Sequence, residues 1–194
     1  MPRLALMTPF GQTGPVVPTN PNSPPIRHRI AKTADLPEIV RIYNASIPGR
    51  LATADLEPVS VAERASWFRT HSAKRRPIWV AGKGTTIEGW VSFSDFYGRP
   101  AYSATAELSV YVDPAAQGRG VGRHLLHAAV AASATLGLTT LLGFIFDHNE
   151  PSLALFTSEG FDRWAHLPRV AVLDGVERGL VIVGRRIEDP TRTT

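Results

Sequence analysis

Between Ala104 and Leu136 the apolar residues change their spacing once, from every second position to a helical repeat. Leu108, Val110 and Val112 alternate with Glu107, Ser109 and Tyr111, which predicts a strand with one apolar and one polar face. Asp113-Pro114 breaks the strand, because proline has no N–H to give to a ladder. From Val121 onward, Val121, Leu125, Leu126, Ala129 and Val130 recur at helical spacing, and Gly137 is placed to end the helix.

The rest of the chain reads in the same terms. Ile26 to Ile30 predicts a first strand. Asp35 and Glu38, with Pro37 between them, predict a capping box that opens a helix with Leu36, Ile39, Val40 and Tyr43 on one face. The polar segment Asn44 to Val59, broken by Pro48, Gly49 and Pro58, predicts a long loop. Ser60 and Glu63 form a second capping box, for a helix carrying Trp67 and Phe68 on one side. Pro77 to Ala81 and Ile87 to Ser94 predict a hairpin turning at Lys83-Gly84. It leads to the aromatic loop Asp95 to Tyr102. Thr139 to Phe146 is continuously apolar, the pattern of a strand covered on both faces. A helix with Leu153, Leu155 and Phe156 follows His148 to Pro151 and ends at Gly160-Phe161. Arg163 to Val172 and Gly179 to Ile187 are two strands joined through Asp174-Gly175. Strands at both ends with helices around the middle give an α/β class with a mixed sheet. There is no internal repeat.

Composition narrows the classes. A chain of 194 residues suits one domain with a sizeable core, and 43% hydrophobic with 20% charged residues is ordinary for a globular protein. Residues 1–25 hold seven prolines and are expected to be a disordered extension, residues 26–188 the folded domain, and 189–194 a tail. No apolar run is long enough to span a membrane, and no secretory leader is evident, so a cytoplasmic protein is expected. The absence of cysteine excludes disulfides, a thiol nucleophile and thiolate metal ligands. Net charge is +4, and the one basic run, Lys74-Arg75-Arg76, reads as a solvated face rather than a nucleic-acid site. A mild positive balance suits a polyanionic cofactor. His124 and His127 are three apart on the expected helix without a third ligand, so no metal is expected.

The chemistry lies in Gln117-Gly118-Arg119-Gly120-Val121-Gly122, at the junction of strand and helix. The first N–H groups of a helix have no internal partners, and the helix dipole adds positive charge there. Glycines clear the approach for a diphosphate and permit unusual backbone angles, while Arg119 and Arg123 add full charges. The spacing fits neither GxxxxGK[ST] nor GxGxxG.

Gln117, Gly120 and Gly122 match Gln-x-x-Gly-x-Gly, which resembles the pyrophosphate signature of the GCN5-related N-acetyltransferases (GNAT). Ile42-Tyr43-Asn44, Trp90 to Asp95, Glu107 to Val112, Asn149-x-x-Ser152 and Gly160-Phe161 follow in the order of one subgroup. That subgroup comprises the phosphinothricin N-acetyltransferases and the acetylases of methionine sulfone and sulfoximine. The resemblance spans Ile26 to about Ile187. It implies the GNAT acyl-CoA N-acyltransferase fold, a mixed and mostly antiparallel central sheet flanked by helices. It also implies acetyl-CoA as acetyl donor and a homodimer.

Acetyl transfer to an amine needs a base, a donor for the developing oxyanion and a fate for the thiolate. The resemblance gives Glu107 the base role; taken alone, it reads as a solvated or salt-bridged strand residue. The backbone of Val110, Tyr111 and Val112 would meet the thioester and pantetheine. Gln117, Gly118, Arg119, Gly120, Val121, Gly122 and Arg123 would hold the diphosphate. Asn149, with Ser152, resembles the residues on the cofactor arm, and Asn149 equally suits a helix cap. Phe156 stands where many family members have Tyr and the subgroup often has His, so it supplies no acid. Phe93, Asp95, Arg99 and Tyr102 are candidates for the substrate. Arg99 suits a carboxylate, phosphinate or sulfone-bearing amino acid, and also reads as an exposed arginine. Arg169 is a further candidate, and Gly179 replaces an aspartate usual in the subgroup. The expected activity is N-acetylation of a small amino-acid-like amine by direct attack. The alternatives are acetylation of peptide or other metabolite amines, and a non-catalytic acyl-CoA-binding module.

Overall fold

In the computed structural model, which describes residues 25–187, one seven-stranded sheet grows from the two predicted hairpins, the two strands between them and the first strand at one edge. The expected extension (bar Pro25) and the 189–194 tail lie outside the described residues. The strands are β1 (Arg27–Ile30), β2 (Ile78–Gly82), β3 (Gly89–Asp95), β4 (Thr105–Val112), β5 (Thr140–Phe146), β6 (Asp162–Leu173) and β7 (Val176–Arg186). Their spatial order is β1-β2-β3-β4-β5-β7-β6. Only β4 and β5 pair in parallel; the other five pairings are antiparallel. The helices are α1 (Leu36–Ser46), α2 (Val61–Thr70), α3 (Val121–Ala132) and α4 (Glu150–Ser158).

Helices cover both faces of the central strands, which explains why β2 is buried at every position. On one face Trp79, Val91, Phe93 and Leu108 pack with Leu125, Leu126 and Ala129 of α3 and Phe156 of α4. On the other, Ile78, Val80 and Trp90 pack with Ile39, Ile42 and Tyr43 of α1, and Trp67 and Phe68 of α2 lie against them.

Local chemistry sets the ends of these elements. Ser60 and Glu63 form the expected capping box: the Glu63 N–H donates to Ser60 Oγ at 3.2 Å and the Ser60 N–H to Glu63 Oε2 at 2.6 Å. The Asp35–Glu38 box does not form. The Asp35 carboxylate instead accepts from the Lys32 N–H at 2.7 Å and grips Arg29 through both oxygens, while Glu38 pairs with Arg41. Helix α1 runs on to Ser46, so Asn44–Ser46 belong to it rather than to the following loop. Asp174 and Gly175 both take positive φ, 48° and 80°, as a tight hairpin turn requires, and β7 therefore starts at Val176. Helix α3 stops at Ala132, short of Gly137, whose φ of 69° ends the turns that follow.

Leu125 is fully buried between α3 and the sheet. Leu125→Ala is expected to lower the unfolding free energy by about 2–5 kcal/mol in urea titration. A loss below about 1 kcal/mol would show that α3 is not packed as described.

Candidate active site

Strand β4 pairs with β5 at three positions only: Thr105↔Thr140, Ala106↔Leu141 and Glu107↔Leu142. Beyond Glu107, β4 stays on β3 as far as Val112↔Gly89, and β5 stays on β7 as far as Phe146↔Leu180. The sheet therefore forks, and the edge of Leu108–Val112 that faces β5 has no strand partner. A cavity of about 280 Å³ fills the fork, between Glu107–Tyr111 and Phe144–Phe146, with Asn149, Ser152 and Phe156 behind it.

A second cavity, of about 480 Å³, continues from Val110–Val112 to Gln117, Gly118, Gly120, Val121, Gly122 and Arg123. Gly118 and Gly120 have φ of 72° and 86°, which favours glycine at both. Gly120 is the N-cap of α3 and offers no capping side chain, so the first N–H groups of the helix face outward uncapped. Gly122 sits in a tight place: a Cβ there would lie 3.3 Å from both Val112 Cγ2 and Leu155 Cδ2. Asp113 shapes the turn, accepting from the Ala115 N–H at 2.8 Å and pairing with Arg41. Arg123 lies in this lining but also holds Glu159 at 3.0 Å, and Arg119 is exposed. The uncapped N–H groups, the bare glycines and the unpaired strand edge fit an extended diphosphate-bearing ligand.

Glu107 stands where the fork meets a third cavity, of about 210 Å³, beneath α1 and α2. The β3–β4 register sets Glu107 opposite Ser94, Ser109 opposite Ser92 and Tyr111 opposite Trp90. All six therefore share the face turned toward that cavity. Tyr43, Arg64 and Trp67 close its other side. Among the described residues the Glu107 carboxylate has no hydrogen-bonding or ionic partner, and burial pushes its pKa up. The salt-bridged reading of Glu107 is thus not what the structure shows.

A strap, residues 50–55, crosses the fork from the end of α1 to the start of α4. Asn149 Nδ2 donates to the Leu51 carbonyl at 2.9 Å, while its Oδ1 accepts from the Ser152 N–H at 3.1 Å. Asn149 is thus a helix cap that also borders the fork. His148 Nε2 meets the Arg50 carbonyl at 2.9 Å, the Tyr111 hydroxyl donates to the Ala52 carbonyl at 3.1 Å, and the Tyr43 hydroxyl meets Thr53 Oγ1 at 2.5 Å. The raised pKa of Tyr111, from burial, keeps that donor protonated.

The residues proposed for the substrate are not gathered there. Phe93 pairs with Leu108, so its side chain points into the core and is fully buried, where no substrate can touch it. Asp95 is held by Arg75 at 2.6 Å and Arg76 at 2.7 Å. In the basic run Lys74 and Arg75 are exposed, as a solvated face requires, but Arg76 is buried and also donates to the carbonyls of Ser103 and Thr105. Arg99 and Tyr102 are exposed, the latter in an aromatic cluster with Phe96 and Tyr97. Arg169 is exposed on β6 with φ of 53°. None of these five lines the three cavities. Gly179 has a local cause: a Cβ there would lie 2.2 Å from Asp147 Oδ2 and 2.6 Å from His166 Nε2, which pair with each other at 3.2 Å. His124 sits against His28 and His127 against Glu159. Phe156 packs edge-on to Phe161, its centroid 4.9 Å away, and borders the fork with no proton to give. Sequence reading missed Arg64, although it lies three residues before Trp67 and so on the same helix face.

Residues 36–161 match the model of the acetyltransferase (GNAT) family. The chain is 45% identical to "Putative phosphinothricin acetyltransferase YwnH" of Bacillus subtilis over 160 residues, covering 82% of this chain and 98% of that one. It is 32% identical to an L-methionine sulfoximine/L-methionine sulfone acetyltransferase of Pseudomonas aeruginosa, covering 85% and 96%. A crystal structure of a phosphinothricin acetyltransferase of Sinorhizobium meliloti in complex with acetyl-CoA superposes with a TM-score of 0.81 at 29% identity, covering 87% of this chain and 92% of that one.

Asn149→Ala removes both the α4 cap and a tether of the strap. We expect a stability loss of about 1 kcal/mol, with faster hydrogen exchange at the amides of the strap. Unchanged exchange would show that the strap is held without Asn149.

Proposed function

The chain belongs to the acetyltransferase (GNAT) family, and we propose that it acetylates the amine of a small amino-acid-like substrate by direct attack on acetyl-CoA, with Glu107 as base. The observation that carries this reading is the position of Glu107, unpartnered and half-buried where the fork meets the cavity beneath α1 and α2. The relatives acting on phosphinothricin and methionine sulfone support the substrate class.

In this reading the uncapped N–H groups after Gly120 and the glycine turn hold the diphosphate, with Gln117, Arg119 and Arg123 beside it. The open edge of Val110–Val112 pairs with the pantetheine, and Asn149 and Ser152 flank the arm. The acetyl group supplied there is electrophilic, and a β4 N–H aimed at its carbonyl stabilises the oxyanion. The amine reaches it from the α1/α2 side, past Glu107. An ammonium is not nucleophilic, so Glu107 takes its proton directly or through water. The raised pKa makes that carboxylate a stronger base than an exposed one. Phe156 offers no proton, so the thiolate leaves as the anion or is protonated by water.

We infer that the protein is a homodimer, as the resemblance implies. The exposed Trp164, Val170, Val172 and Val176 of the β6–β7 hairpin support this, since such apolar clusters mark association surfaces. Sedimentation at micromolar concentration is expected to give twice the chain mass; a single-chain mass would contradict it.

Glu107→Gln is expected to lower kcat by about 10²–10⁴-fold on methionine sulfone, with acetyl-CoA affinity unchanged. In the wild type, kcat/KM rises with pH as Glu107 deprotonates. Because burial raises that pKa, the acid limb is expected above the ordinary carboxylate range. Wild-type turnover in the variant, or a limb at the ordinary value, would contradict the base role.

A further inference from the structure

The cavity beneath α1 and α2 carries one charge of each sign in its lining. Glu107 is the carboxylate, and Arg64 is the one basic side chain. The Arg64 guanidinium sits over an aromatic wall, its carbon 4.3 Å from the Tyr43 ring centroid and 5.7 Å from that of Trp67. A cation held over aromatic rings is attracted by their faces and still has N–H donors for an anion. The anion it now meets is Asp55 of the strap, through a single contact of 3.0 Å from Nη2 to Oδ2. An arginine fork can give two parallel bonds to a carboxylate, so this contact leaves donors unused. Asp55 is itself about two-fifths exposed and keeps a second partner, the Tyr43 hydroxyl at 2.5 Å.

We propose that Arg64 anchors the acid group of the substrate, and that Asp55 occupies that position until substrate arrives. The proposal rests on the amino-acid substrate class proposed above and says how that class is recognised. An amino acid presents an amine and an acid a few bonds apart, and this cavity presents a base and a guanidinium. With the amine directed to Glu107, the carboxylate turns to Arg64 and replaces Asp55, whose side chain turns outward while the Tyr43 hydroxyl stays with Thr53. A polyamine, or a peptide whose first carboxyl is an amide, brings no anion to Arg64 and does not displace Asp55. The cavity thereby selects free amino acids over such amines.

The test is steady-state kinetics on methionine sulfone and on its decarboxylated amine. Wild type, Arg64→Gln, Arg64→Lys, Asp55→Asn and Arg99→Gln are compared, each checked for folding by thermal melting. The wild type is expected to prefer the amino acid. Arg64→Gln is expected to raise KM for the amino acid by about ten- to a hundredfold, the value of a charged hydrogen bond. Its effect on the decarboxylated amine is expected to stay within about threefold, so that the preference disappears. Arg64→Lys should restore part of the preference, and Asp55→Asn should lower KM for the amino acid by removing the competing anion. Equal losses on both substrates in Arg64→Gln, or a selective loss in Arg99→Gln alone, would overturn the anchor and leave the amino-acid reading standing. A wild type that turns over amines without preferring the amino acid would overturn both.

Discussion

Everything at this site follows from a ladder that stops early. Three residues of β4 pair with β5 and five do not, while each strand is held along its length by its other neighbour. An unpaired backbone edge is costly when buried dry, by about 1–3 kcal/mol for each group. Here it stays open to a cavity, where water or a ligand can satisfy it. The fork is wedged at its base by Phe156, whose ring sits where a side chain at Gly143 would have to be. Across its mouth the strap is pinned by Asn149, His148, Tyr111 and Tyr43. One break in pairing thus yields a slot with backbone donors on one wall and apolar residues on the other.

The electrostatics divide along the same line. On the α3 side the resources are uncapped N–H groups, the glycines that expose them and the positive charge of Arg123. On the α1/α2 side they are full charges, Glu107 and Arg64, set on a wall of aromatic rings. Several carboxylates outside the site are neutralised by arginine, as Asp35 is by Arg29, Asp95 by Arg75 and Arg76, and Glu159 by Arg123. Among the described residues Glu107 has no such partner, and burial makes it a weaker acid and a stronger base than an exposed carboxylate.

Much of this was legible in the sequence, for reasons that also mark where legibility ended. Alternation in β4, the continuous apolar run of β5 and the glycines before α3 are local patterns, and each became the element expected. The expected mixed, mostly antiparallel sheet flanked by helices was found. The fork was not readable from residues alone, since it depends on where two distant strands part. Arg76 read as surface because its partner Asp95 lies nineteen residues away, across a hairpin. Phe93 was placed near substrate by its position in the chain, but its register opposite Leu108 turns it inward. Arg64 was missed because a charge on a helix face says nothing by itself of which rings it will stack on.

Acetyl-CoA is proposed to pair with the open edge of β4. Amide hydrogen exchange across Leu108–Val112, with and without acetyl-CoA, addresses it directly. Amides in this segment that point away from β3 are expected to exchange more slowly in the complex, alongside those of Gly120–Arg123. Unchanged exchange at Leu108–Val112, with binding verified calorimetrically, would contradict it.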